Sequence, residues 1–85
     1  MRYYEREIKR RYYDYDAGCS KFIIWTEAVI SNDISKYNSR KKKRFREVQG
    51  WDLFDWYTRI MDHTGVSYVN IEHVYSWKNE EGEDE

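Results

Sequence analysis

The sequence lacks proline altogether and has only four glycines, so residues that break helices and strands are scarce. Disordered and linker-rich chains are usually enriched in these residues, and we therefore expect an ordered chain over most of the length. Cysteine occurs once, at Cys19, which excludes a disulfide within one chain. A chain of this kind is expected in a reducing, cytoplasmic setting.

Long apolar runs are missing as well. The longest run, FIIW at residues 22–25, is far shorter than the roughly 20 apolar residues that a membrane-spanning helix needs. The first eleven residues, MRYYEREIKRR, contain no apolar core of the kind that a secretory signal has. We therefore expect no membrane segment and no membrane partner.

Patterns that carry catalysis or hold cofactors are also absent. No Gly-rich phosphate loop occurs. The two histidines, His63 and His73, lack a repeated metal-ligand spacing, and the carboxylates directly before them would point to the opposite face of a strand. A position near a helix C-terminus explains His63, and His73 is expected to be half-buried on a strand. The sequence therefore predicts no enzyme, no metal site and no cofactor.

Aromatic residues are abundant and make up 19% of the chain, with nine Tyr and four Trp. Each ring can bury about 150–250 Å², so a few of them can supply the core of one small domain. Tyrosine also carries a hydroxyl that needs water or a partner, so many rings are expected at the margin of the core. Half-exposed Tyr and Trp are typical of binding surfaces.

Charge is divided along the chain although the net charge is only −1. Residues 1–46 hold 13 Lys or Arg against six Asp or Glu, whereas residues 47–85 hold two against ten. Such asymmetry indicates charged partners. The acidic end, EEGEDE at residues 80–85, has no apolar anchor and is predicted to be a disordered tail behind a single compact domain over residues 1–79.

Strands are indicated by alternating and β-branched patterns in four places. Residues 66–77 alternate with a period of two, and residues 21–30 form a nearly continuous apolar run that suggests a central strand. Residues 3–15 fit either a helix or a strand, and the turn-like DAGCS that follows favours a hairpin. Residues 43–48 alternate weakly as a third strand, after a long polar connection over residues 31–42.

A helix is predicted over residues 51–63. Its apolar residues recur at i, i+3, i+4, i+7 and i+8, and this stripe is expected to face the core: Leu53, Trp56, Tyr57, Ile60 and Met61. Gly65 is expected as the left-handed C-cap. The element order is then β-β-β-α-β, which predicts an α+β fold with a small antiparallel sheet of three to four strands and one helix packed on one face.

The strongest functional pattern is a run of cations that we call the basic loop, residues 40–46. Several cations in one short segment attract a polyanion by releasing its counterions, and aromatic rings between them can stack on bases. The candidate contacts are Lys36, Tyr37, Arg40, Lys41, Lys42, Lys43, Arg44, Phe45 and Arg46. Trp51 and Phe54 lie off the helix stripe and are predicted to add apolar anchors. The alternative is a solvated loop whose charge only keeps the protein soluble.

A second basic group occupies the first element and is interleaved with Glu5 and Glu7. On a strand, such charges also prevent the edges of two sheets from pairing, and this role is slightly favoured over a role in binding. The group comprises Arg2, Arg6, Lys9, Arg10 and Arg11.

The acidic residues of the second half allow three interpretations: solubility, shielding of the basic loop by the tail, or mimicry of nucleic-acid charge. The candidate mimic surface comprises Asp52, Asp55, Asp62 and Glu72. No spacing in the sequence decides between the three.

The preferred hypothesis is a small non-catalytic interaction or inhibitor protein, of the kind found among phage and plasmid regulators. Its partner is expected to be a nucleic-acid-handling protein or a nucleoprotein complex. The alternatives are a protein that binds nucleic acid directly through the basic loop, and a homodimerising structural module.

Overall fold

The computed structural model describes residues 1–83 and shows one antiparallel sheet with one helix. Strands β1 (Arg2–Asp14) and β2 (Cys19–Ser31) form a long hairpin. A 3₁₀ helix (Ile34–Lys36), the short strand β3 (Arg46–Glu47), helix α1 (Leu53–Thr64) and strand β4 (Tyr75–Glu83) follow. The predicted α+β class and element order are confirmed.

The four strands lie in the order β3-β1-β2-β4, and every neighbouring pair is antiparallel. Tyr3 pairs with Ile30 and Ala28 with Tyr75, so these residues share one face of the sheet, which we call the helix face. Tyr4 pairs with Val29 on the opposite face, which we call the loop face. Because side chains alternate along a strand, each residue of the hairpin belongs to one face or the other.

Helix α1 begins and ends at well-defined caps. Asp52 is the N-cap: its carboxylate accepts from the Asp55 backbone N–H, and the Asp55 carboxylate accepts from the Asp52 N–H, a reciprocal capping box. Gly65 ends the helix with φ of +76°, as predicted, because a residue without Cβ adopts the left-handed region at little cost.

The core lies between α1 and one end of the helix face. Ile60 of the helix is fully buried there with strand residues from β1, β2 and β4: Tyr3, Ala28, Ile30, Tyr75 and Trp77. The helix stripe is narrower than predicted, since Leu53 and Met61 are 41% and 38% exposed. The reason is that α1 covers only this end of the sheet, which is too small to receive the full stripe.

The rest of the hairpin, residues 7–25, contains no buried residue and we call it the arm. Phe22, Ile23, Ile24 and Trp25 are half-buried on it, two on each face by alternation. The arm therefore extends from the core as a thin sheet of β1, β2 and the end of β4.

A second, smaller cluster lies on the loop face at the same end as the core. Phe45 covers Tyr4 and Val29 there, and Ile34, Tyr37 and Val74 pack around them. The long connection after β2 is thus folded back onto the sheet.

Two strand predictions were too long. Residues 66–74 form an irregular segment instead of a strand, because Glu72 has a left-handed backbone (φ +56°) and its N–H donates to the Ile30 carbonyl at 2.7 Å. His73 is consequently exposed and lies before β4, not half-buried on a strand. The predicted third strand shrinks to two residues, since the Phe45 N–H donates to Asn38 Oδ1 instead of to a neighbouring strand.

The prediction of a disordered tail over residues 80–85 is wrong for residues 80–83, which belong to β4 and pair with residues 21–24 of β2. Strand pairing needs only backbone groups, so the lack of apolar side chains does not prevent it. Residues 84 and 85 lie outside the described part of the chain.

Candidate functional site

The basic loop is held against the loop face of β1 by Phe45 and Arg6. Phe45 is 6% exposed and packs on Tyr4 and Val29. The Arg6 guanidinium lies 4.1 Å from the centroid of the Phe45 ring and donates to the Lys43 carbonyl at 3.1 Å. The Phe45 ring therefore forms the floor beneath the loop and is not exposed for the stacking predicted from the sequence.

Arg6 is itself a buried cation, 8% exposed. Its Nε donates to Glu27 Oε1 on β2 at 2.7 Å, and Glu27 retains only 20% of its side-chain exposure. A charge this deeply buried needs a partner, and Glu27 supplies it. The sequence pattern places Arg6 among the cations of the sheet edge, whereas in the fold Arg6 holds the basic loop to the sheet.

A second anchor is Glu72, which joins the irregular segment before β4 to the connection after β2. Its carboxylate accepts from Tyr37 Oη at 2.6 Å, from Ser31 Oγ at 2.9 Å and from the Asn32 N–H at 3.0 Å. The hydrogen bond from Tyr37 is the largest of several effects that lower the pKa of Glu72 to about 2. The same bond raises the pKa of Tyr37.

The basic loop, held by these anchors, and the part of β1 that belongs to the arm enclose a groove of about 680 Å³, which we call the cationic groove. Its lining residues come from the arm and the loop: Glu7, Ile8, Lys9, Arg10, Ile24, Lys41, Lys42 and Lys43. The two basic groups of the sequence thus meet at one place. The single carboxylate in the lining, Glu7, accepts from Asn79 Nδ2 at 3.2 Å.

The cations of the basic loop are not neutralised by the carboxylates that the structure describes. Over residues 1–83, none of the loop's six Lys and Arg side chains forms an ion pair with a carboxylate. A second hollow of about 390 Å³ on the loop is lined by Arg40, Lys42 and Arg44 together with Ser35, Asn38 and Ser39. Positive charge therefore lines two adjoining concave surfaces.

The aromatic anchors predicted beside the loop lie elsewhere. Trp51 stacks on Tyr3 with ring centroids 5.8 Å apart, which places it on the helix face. Phe54 is 75% exposed on α1, which packs on that same face. Trp51 and Phe54 therefore do not share a surface with the cationic groove.

The predicted acidic mimic surface is also divided. Asp52 and Asp55 are engaged with each other's backbone in the helix cap, and Glu72 anchors the connection after β2. Asp62 alone of the four is an exposed carboxylate on the helix with no hydrogen bond or ion pair within residues 1–83. Of the candidate cations, Lys36 ends the 3₁₀ helix and Arg46 lies in β3, both exposed.

Sequence reasoning missed Ile8 and Ile24 as lining residues and did not separate Arg10 from Arg6. The alternation in β1 places Arg6 and Arg10 on the same face. What distinguishes them is the partner across the sheet: Arg6 pairs with Glu27, and Arg10 with Ile23. A search for a carboxylate opposite each strand cation would have found the difference.

Groups that could support catalysis or metal binding are dispersed. Within residues 1–83, no group of three or more His, Cys, Asp or Glu side chains is close enough to hold a metal ion. Burial, followed by the charge of Glu83, raises the pKa of the Cys19 thiol, which disfavours the reactive thiolate. His63 stacks on Trp77 with ring centroids 4.8 Å apart. In this part of the chain no helix has the length and apolar character needed to cross a membrane.

Comparison with known proteins finds no matching family model, no matching curated protein and no matching solved structure. The chain's own residues therefore supply all the support for a function. The feature that stands out among them is the cationic groove, in which Lys41, Lys42 and Lys43 form no ion pair with a carboxylate of residues 1–83.

Proposed function

We propose that this protein is a non-catalytic binding protein whose cationic groove holds the phosphate backbone of a nucleic acid, either alone or within a nucleoprotein complex. The observation that supports this most is that Lys41, Lys42 and Lys43 line one groove with Arg10, and that these cations have no carboxylate partner within residues 1–83. Clustered cations exposed on a concave surface are the electrostatic footprint of phosphate binding.

Counterion release supplies the free energy of such binding, so the affinity must depend on salt. Lysine side chains are flexible point charges that contact phosphate without reading base edges. We therefore expect little sequence preference and a dissociation constant of about 1–100 µM at physiological salt.

The experiment is fluorescence anisotropy with labelled DNA and RNA 20-mers over 25–300 mM salt. For a K41A/K42A variant, the slope of log affinity against log salt should fall by about 1.4 on single strands and 1.8 on duplexes. The control is Arg2→Ala, which removes a cation that pairs with Glu47 away from the groove, and its loss of affinity is compared per charge removed.

Two results contradict the proposal. The first is the absence of binding to DNA and RNA even at 25 mM salt. The second is an equal loss of affinity per charge removed in the control and the K41A/K42A variant, since that would assign the attraction to net charge and not to the groove.

A second candidate function is the inhibitor or adaptor role, with a protein partner docked on the helix side. Exposed apolar residues support it: Phe54 of α1 is 75% exposed, and Leu53 and Met61 of the same helix are 41% and 38% exposed. Affinity capture from the native host, with and without nuclease, tests it. Retention of a nucleic-acid-handling protein after nuclease treatment, and its loss in a Phe54→Ser variant, would support this role over direct binding.

A homodimerising module is the third candidate. It is tested by sedimentation equilibrium up to high protein concentration, and a monomer throughout would remove it.

A further inference from the structure

The loop face of the arm continues, as a partly open sheet surface, from the part of the cationic groove that Ile8 and Arg10 line. By alternation from Tyr4 and Val29, this face carries Ile8, Arg10 and Tyr12 of β1. Their partners across β2 are Trp25, Ile23 and Lys21, in that order. No residue between 7 and 25 is buried, so this surface is partly open to solvent beside the groove that the basic loop lines.

Charge is distributed unevenly across this face. On the β1 side lie Arg10 and the lysines of the groove. On the β4 side, Glu81 lies opposite Ile23 and Glu83 opposite Lys21, while Lys78, opposite Trp25, pairs with Glu81 at 3.2 Å. Two carboxylates against one cation make the β4 side less attractive to a polyanion than the β1 side.

Apolar and aromatic side chains lie between the two charged sides. Trp25 and Ile23 are half-buried in the central strand, and Tyr12 is 43% exposed. Trp25 is the only one of the four tryptophans on the loop face, because Trp51 and Trp56 stack on Tyr3 and Trp77 stacks on His63. A flat ring beside a cationic groove is the arrangement on which unpaired bases stack.

On the basis of the proposed function, we infer that the nucleic acid is single-stranded. Its phosphates lie along Lys41–Lys43 and Arg10, and its bases turn inward onto Trp25, Ile23 and Tyr12. The excess of carboxylates over cations on β4 favours this orientation, because the phosphates are attracted more strongly to the β1 side. A duplex cannot contact both the cations and the apolar side chains of this surface, since its bases are stacked inside the double helix and do not reach Trp25.

The test needs no substitution at first. The wild-type protein is titrated at 50 mM salt with a labelled dT 12-mer, an abasic 12-mer of equal charge and a 12-bp duplex. The dT strand should bind about 5-fold or more tightly than the abasic strand, since each stacked base contributes substantially. It should also bind at least as tightly as the duplex, although the duplex has twice the charge per unit length.

Tryptophan fluorescence gives an independent readout. Binding of dT should quench the wild-type emission through Trp25, and a Trp25→Leu variant should lose both the quenching and the advantage over the abasic strand. Phe54→Ala, on the opposite side, is the matched control and should keep both. Circular dichroism of Trp25→Leu checks that it folds, and the wild-type comparison of the three ligands stands even when it does not.

The possible outcomes separate the two proposals. Equal affinity for the dT and abasic strands, or a clear preference for the duplex, overturns the single-strand inference and leaves phosphate binding intact. Failure of all three ligands to bind overturns the proposed function itself. Tighter binding of a poly-glutamate peptide than of dT also overturns the inference, since it identifies an acidic protein segment as the better occupant.

Discussion

Replacing Arg6 with methionine tests whether a buried ion pair holds the basic loop to the sheet. The substitution keeps most of the apolar stem but removes the charge, so Glu27 loses its 2.7 Å partner and the Lys43 carbonyl loses its donor at 3.1 Å. Breaking a fully buried pair costs about 3–5 kcal/mol. Because the Glu27 side chain is 20% exposed, water compensates in part, and we expect about 2–3 kcal/mol.

This loss is large for a chain of 85 residues, whose total stability is expected to be about 4–13 kcal/mol. The corresponding fall in melting temperature is about 8–24 °C. Urea unfolding followed by circular dichroism measures the free energy, and a double-mutant cycle with Glu27→Gln should give a coupling energy of about 1–3 kcal/mol.

Arg10→Met is the matched control, since Arg10 lies on the same strand and the same face but is exposed and faces Ile23. It should change stability by less than about 0.5 kcal/mol while weakening nucleic-acid binding. Equal and small losses in the Arg6 and Arg10 variants, or a coupling energy near zero, would show that Arg6 is a solvated edge charge and that the loop is held by other contacts.

Three further predictions concern the core, the Glu72 anchor and the helix cap. Ile60→Ala should cost about 2–5 kcal/mol in urea unfolding and Ile60→Val only about 0.5–1.5, because Ile60 is fully buried; a loss below 1 kcal/mol for the alanine variant would be inconsistent with this packing. Because the folded-state pKa of Glu72 is lowered from 4.5 to about 2, its contribution to stability is fully present above pH 4.5 and is lost as the pH falls toward 2. Thermal melts between pH 2 and 7 should show a weaker pH dependence in this window for Glu72→Gln but not for Asp62→Asn, and identical curves for the two variants would argue against the anchor. Gly65→Ala should destabilise the protein by about 1–2 kcal/mol because of its φ of +76°, with Gly65→Asn less severe, and no difference between the two in chemical denaturation would contradict the cap.

Local periodicity predicted the elements that form through contacts between residues close together in the chain. The alternation and turn signal between residues 3 and 30 indicated the hairpin, and the 3.6-residue apolar spacing with Gly65 indicated the helix and its end. The alternating pattern of residues 66–77 was misleading, because a strand also needs a neighbour to pair with. Residues 80–83 are the converse case: their side chains gave no strand signal, but the exposed edge of β2 supplied a partner.

Tertiary structure alone decided which charges face solvent. Arg6 and Arg10 have the same chemistry and the same phase on β1, yet Glu27 and Phe45 bury the first and leave the second in the groove. The sequence indicates Glu72 as a surface carboxylate. In the fold, however, it accepts a hydrogen bond from Tyr37, which lies 35 residues earlier in the chain. The sequence by itself determined the hairpin, the helix and the excess of cations in the first half. The groove depends on contacts between residues far apart in the chain, and no local pattern encodes those, because side-chain pairing across a sheet depends on register and not on the neighbours in sequence.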